Sequence, residues 1–150
     1  FSAAMLGERI SIVTFSPVMR RWFEDSVRAA GLMSRFAGVR TPDGHTSDLA
    51  NSRTALRAEL IELCRCAVFH DNADVVMLGG APLAGLANEI REDVDAILVD
   101  PITAATAQAR ALLSMTDTRG FGQRHSKPLP KDAEGLAPAL TRHFAKGRAE

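Results

Sequence analysis

Ala73 to Ile90, ADVVMLGGAPLAGLANEI, is the stretch of this chain best suited to hold a reacting group. An apolar run from Val75 to Leu78 stops at Gly79 and Gly80, after which Leu83, Leu86, Ala87 and Ile90 recur at helical spacing. The expected order is strand, tight turn, helix. Two glycines accept backbone angles that a Cβ resists, and they leave the helix start open to a ligand. The first amides of such a helix lack intrahelical partners and carry the positive end of its dipole, so a carboxylate, phosphate or developing oxyanion can sit there. A plain connection between two parallel strands has the same pattern, and the local residues leave both readings open.

Two further segments present polar groups at a strand end. Glu8 to Phe15 alternates and is rich in β-branched residues, which predicts a strand, and Ser16-Pro17 marks its exit into a helix with Ser16 as cap. Val94 to Val99 predicts another strand, followed by Asp100-Pro101 and a helix from Ile102 to Met115. Asp100 is expected to cap that helix, with orientation of a ligand group as the lesser alternative. The ligand edge of the fold would then collect Thr14, Phe15 and Ser16, Gly79 to Leu83, and Asp100 to Ile102, because open parallel sheets bind ligands at the carboxyl ends of their strands.

The elements between these exits complete the layer. Met19, Trp22, Phe23, Ser26 and Ala30 are expected on the buried face of one helix, with Arg20, Arg21, Glu24 and Arg28 facing water. Arg35 to Val39 is a short strand candidate, and Thr41-Pro42-Asp43-Gly44 a turn. A long helix is predicted from Thr46 or Ser47 to about Asp71, burying Leu49, Leu56, Leu60, Leu63, Ala67 and Val68. Thr116 to Asp132 is turn-rich and reads as a surface tail or lid, and a last helix from about Ala133 to Ala145 is interrupted by Pro138. Parallel strands need crossovers, so alternating β and α segments imply a mostly parallel sheet covered by helices.

Other chemistries are poorly served. Cys64 and Cys66 flank the buried stripe in mid-helix, away from the amides that acidify a thiol at a helix start, and are expected to be small packing residues. His45, His70, His125 and His143 are scattered without metal-ligand spacing, so no metal is expected. GGAPLAG lacks the lysine and hydroxyl residue of a phosphate loop. With 18 basic and 18 acidic side chains in 150 residues, nothing in the charge balance favours nucleic acid or an anionic membrane. No apolar run approaches the roughly 20 residues that span a bilayer, and a cytoplasmic protein is expected. Phe1 to Gly7 reads as the last turns of a helix, which suggests a piece of a longer chain.

Taken together, GERISIVTF at 7 to 15, the segment at 73 to 90, ILVDPITAATAQARALL at 97 to 113 and HSKPLPK at 125 to 131 resemble the aspartate/glutamate racemase superfamily, in particular its hydantoin and allantoin racemase branch. The resemblance covers most of residues 2 to 131 and rests on the order and spacing of these segments. It implies an α/β fold: a three-layer sandwich with a mostly parallel four-stranded sheet, one of two similar domains that face each other across a cleft. Residues 1–100 would be the second of those domains, and 101–150 a returning helix and tail. Such proteins work without a metal or organic cofactor, using one cysteine from each domain to remove and return a proton beside a carbonyl. By this resemblance Thr14, Phe15, Ser16, Gly79, Gly80, Ala81 and Pro82 line the substrate site. The second cysteine position is occupied by Gly80, and the domain carrying the first would precede Phe1, so no catalytic residue is visible.

Three functions follow as expectations. The first is a cofactor-independent racemase or epimerase acting on an amino acid or a cyclic ureide such as a hydantoin, with this chain alone inactive. The second keeps the scaffold and changes the reaction to decarboxylation, because Gly80 cannot transfer a proton. The third is a non-catalytic module binding a carboxylate or a partner at the strand-exit edge, with homo-oligomerisation an associated expectation.

Overall fold

The computed structural model describes residues 1–43, 52–116, 135 and 137–145. Gly44, His45, the expected helix start at Thr46 or Ser47, Leu49, and the tail segment with Gly120, Gly122, His125, Pro128 and Pro130 lie outside the described residues. Residues Phe1–Ala111 form one compact unit and Leu112–Glu150 another.

The first unit is built on β1 (Ile10–Thr14), β2 (Phe36–Arg40), β3 (Val75–Gly79) and β4 (Ile97–Val99), in the order β2-β1-β3-β4 with every pairing parallel. Each return requires a crossover. A 3-10 turn (Pro17–Met19) and α2 (Arg20–Ala29) join β1 to β2. Two helices, α3 (Ser52–Ala55) and α4 (Arg57–Asp71), join β2 to β3, and a 3-10 turn (Ala81–Leu83) with α5 (Leu86–Glu89) joins β3 to β4. Helix α1 (Ser2–Leu6) precedes the sheet and α6 (Pro101–Met115) follows it. In the second unit α7 runs from Pro138 to Ala145.

Strand alternation divides the core into two layers. Val13, Phe15, Val76 and Leu78 pack with Leu60, Ile61, Cys64 and Ala67 of α4 and with Leu86 and Ala87 of α5. Ile10, Val75 and Val99 turn the other way, onto Ala3 of α1 and Ala104 of α6. The three-layer α/β sandwich is therefore as the sequence implied, with a sheet that is parallel throughout. Asp74 ties the strand starts together by accepting the Glu8 and Arg9 amides at 2.8 and 2.7 Å, and these bonds hold its carboxyl below the usual range.

Several local expectations need correction. Trp22 is 68% exposed and Ser26 is exposed, while Phe23, Val27 and Ala30 are half-buried, so the inner face of α2 is rotated by about one residue from the predicted stripe. The packing of α2 on β2 sets that rotation. The long helix is broken at Leu56, which leaves helical angles (φ −101°, ψ 5°). Continuous helix from Pro82 to Ile90 is replaced by a 3-10 turn, an extended Ala84 (ψ 130°) and a left-handed Gly85 (φ 85°) before the single turn of α5. Its apolar residues are nevertheless buried. Val94 reaches the core from the loop before β4. Pro138 opens α7 instead of interrupting it, since a first-turn residue needs no amide donor.

Candidate functional site

The chain leaves β1 toward β2 on one side and leaves β3 toward β4 on the other. Loops from the carboxyl ends of β1 and β3 therefore diverge, and the point between these two neighbouring strands is the topological switch point at which open parallel sheets bind ligands. Thr14 and Gly79 are register partners at that point. Two of the segments singled out from sequence thus meet through sheet pairing that sequence does not display.

Thr14 is wholly buried, and its Oγ1 has no hydrogen-bond partner among the described residues. Phe15 and Ser16 are buried beside it. Ser16 stands in the cap position of the Pro17–Met19 turn with extended backbone, but its side chain makes no capping bond. Gly79 is buried, Gly80 and Pro82 are half-buried, and Ala81 is exposed. The amides of Leu83 and Ala84 bond to the carbonyls of Gly80 and Ala81 at 3.0 and 3.1 Å, and Pro82 has no N–H. A helix of one turn, set off from the glycines by Gly85, replaces the long dipole expected at Pro82.

The two glycines are held between aromatic rings from opposite layers. A Cβ on Gly79 would stand 2.5 Å from Phe23 Cζ and 3.0 Å from Ile12 Cγ2. One on Gly80 would stand 2.5 Å from Phe15 Cε1, and Gly80 has φ +119°, an angle that side-chain-bearing residues rarely adopt.

Asp100, at the exit of β4, is a structural cap. Its Oδ1 accepts the Ile102 and Thr103 amides at 2.9 and 3.0 Å, and its Oδ2 accepts the Gly85 amide. Burial alone would raise its pKa, but the bonds from Thr103, Gly85 and Ile102 outweigh that and hold the carboxyl below the usual range. The carboxylate thus pins α6 to the turn that follows Gly79.

Cys64 lies deeper than its flanking position implied. It is fully buried in the core of α4, and burial pushes its thiol up to about 12, so it is protonated at neutral pH. Cys66 is half-buried. Iodoacetamide is expected to label Cys66 in the native chain and Cys64 only on unfolding, which peptide mass mapping with and without denaturant would read. His70 sits exposed on the last turn of α4 with its ring edge-on to Phe69. Among the described residues no cluster of three His, Cys, Asp or Glu could hold a metal ion, and no helix is long and apolar enough to cross a membrane.

An open cleft of about 450 Å³ lies away from the switch point, along the edge of β2. Arg20, Glu24, Arg40, Thr41, Asp43 and Asp71 are among its lining residues. Its most structured charges are already paired: Arg40 forks onto Asp71 at 2.6 and 2.8 Å, and that bond raises the guanidinium pKa. The sequence reading missed this concavity because Arg40 and Asp71 lie on separate elements. It lies at the exit of β2 and holds none of the residues at the exits of β1, β3 and β4, so the switch point at Thr14 and Gly79 is the better candidate on topological grounds.

A family model described as Asp/Glu/Hydantoin racemase matches residues 1–109. The chain belongs to this family. It is similar to a hydantoin racemase of Paenarthrobacter aurescens, 25% identical over 129 residues that cover 86% of this chain and 55% of that protein. A hydantoin racemase of a Pseudomonas species (strain NS671) is 27% identical over 135 residues, covering 90% and 54%. Among solved structures, allantoin racemase from Pseudomonas fluorescens superposes with a TM-score of 0.70 at 28% identity, covering 85% of this chain and 56% of that one. Allantoin racemase from Klebsiella pneumoniae shares the fold at 20% identity, with a TM-score of 0.71 over 94% of this chain and 56% of that one. The chain therefore spans about half the length of the relatives it matches.

Proposed function

We propose that this racemase-family chain supplies one wall of a cofactor-independent site that removes and returns a proton on a carbon beside a carbonyl, with a hydantoin, allantoin or other small carboxylate or ureide as substrate. The observation that carries the reading is the meeting of Thr14 and Gly79 at the switch point of a sheet belonging to this family. Relatives named for racemisation of hydantoin and allantoin support the substrate class. In this reading Thr14 and Ser16 offer hydroxyls to the substrate, and Gly79 to Pro82 offer backbone against which a flat ring can lie. When the proton leaves, its electron pair moves into the carbonyl, and a hydroxyl donor stabilises the oxygen that becomes negative. The base that takes the proton is not among these residues.

Exchange of the α-proton in heavy water, followed by NMR with hydantoins, allantoin and amino acids, tests the proposal. Exchange is expected with the product of the complete reading frame and not with residues 1–150 alone. No exchange in either would sink it. Gly80 favours one second reading, in which loss of carbon dioxide generates the same type of enolate. Carbon dioxide release from a substituted malonate, without α-proton exchange, would identify that reaction.

A further inference from the structure

The turn after β3 is closed to side chains from both faces of the sheet. Phe23 of α2 occupies the place of a Cβ on Gly79, and Phe15 at the end of β1 occupies the place of one on Gly80. Phe15 is 5% exposed and belongs to the same buried cluster as Leu60, Leu83 and Leu86, so its ring is held in place by packing. The remaining side chains at the exits of β1 and β4 offer little for proton transfer. Thr14 and Ser16 carry hydroxyls that do not ionise near neutral pH, and Asp100 is held as a carboxylate by three backbone amides.

We propose that Phe15 is a specificity-determining residue: by filling the space of a side chain at position 80 it makes this half of the cleft a wall that orients the substrate and moves no proton. This inference rests on the α-proton reading above. Its consequence is facial. The C–H bond breaks toward a base on the opposite side, the electron pair passes into the carbonyl, and the base exchanges its proton with solvent. The new C–H bond then forms on the face where the old one broke. Solvent label enters one enantiomer with retention of configuration.

The test combines packing and stereochemistry. G80C, F15A and F15A/G80C are prepared in residues 1–150, and alkylation of the introduced thiol and melting temperature are measured. The thiol of G80C is expected to react roughly tenfold more slowly than that of F15A/G80C. The melting loss from G80C is expected to be on the order of 5 °C or more with Phe15 present and smaller in the F15A background. Equal reactivity and equal melting loss in the two backgrounds would overturn the role of Phe15. In the complete protein, deuterium incorporation and optical rotation are followed together for each enantiomer. Label without loss of rotation is expected for the parent, and loss of rotation is expected to begin in F15A/G80C. Racemisation by the parent as fast as exchange would overturn the inference and leave the α-proton reading standing. Absence of exchange would overturn both, while the alkylation and melting data would still report whether Phe15 blocks the position.

Discussion

Thr14→Val is expected to stabilise the chain while weakening the proposed activity. The Thr14 hydroxyl is fully buried and has no partner among the described residues. A buried hydroxyl without a partner costs about 1–3 kcal/mol, and valine replaces threonine with nearly the same shape. Removing the hydroxyl should therefore gain roughly 1 kcal/mol, or about 2–4 °C in melting temperature for a chain of this size. Thr14 also pairs with Gly79 at the switch point, where the proposed substrate site lies. In the proposed reading that hydroxyl donates to the developing enolate, so in the complete protein the same variant should lose roughly tenfold or more in α-proton exchange. Thr14→Ser should keep most of the exchange. A T14V protein that melts lower than the parent, or that exchanges equally fast, would show that the hydroxyl serves packing only.

Asp100→Ala is the substitution expected to damage the fold most. Losing the cap of α6 costs about 0.5–2 kcal/mol, and leaving the Gly85 amide without its acceptor costs about 1–3 kcal/mol more. A total of about 1.5–5 kcal/mol corresponds to a melting temperature lower by roughly 3–20 °C. Because Gly85 follows the Gly79–Leu83 turn, the variant should also loosen that turn, and faster amide exchange at Leu83 and Gly85 would reveal it. Asp100→Asn should cost less, since its carbonyl can still accept from Ile102 and Thr103. The pH dependence has a definite sign. The carboxyl pKa is lower in the folded chain, so its stabilisation is complete above the unfolded value of about 3.9 and is lost as pH falls through the folded value. The stability gap between the parent and D100N should accordingly narrow in acid, and thermal melts from pH 7 down to pH 3 would measure it. A gap that stays constant over that range would mean that the charge of Asp100 contributes nothing.

Much of this architecture was legible from patterns a few residues wide. Val75 to Gly79 stops where glycine replaces side chains that favour a pleated strand, and Ser16-Pro17 and Asp100-Pro101 pair a cap residue with proline at the first turn. Local chemistry was less reliable where two elements compete for one residue. The spacing of Leu83, Leu86, Ala87 and Ile90 is helical and all four are buried, but an extended Ala84 and a left-handed Gly85 let Asp100 reach the Gly85 amide. Trp22 was misplaced for a similar reason. Two faces of α2 carry apolar side chains, and packing on the sheet selects the one holding Phe23 and Val27.

The sequence by itself determined the class of fold, the order of strands and helices, the residues at each strand exit and the family, because these depend on periodicity, turn chemistry and the spacing of segments along the chain. Only the tertiary structure decided that β1 and β3 are neighbours, that Thr14 lies opposite Gly79 with its hydroxyl unpartnered, and that Phe15 and Phe23 close on the two glycines. Those features arise from contacts between residues about 55–65 positions apart. The sequence showed a glycine at position 80; the fold shows that, with Phe15 beneath it, no other residue fits there unstrained.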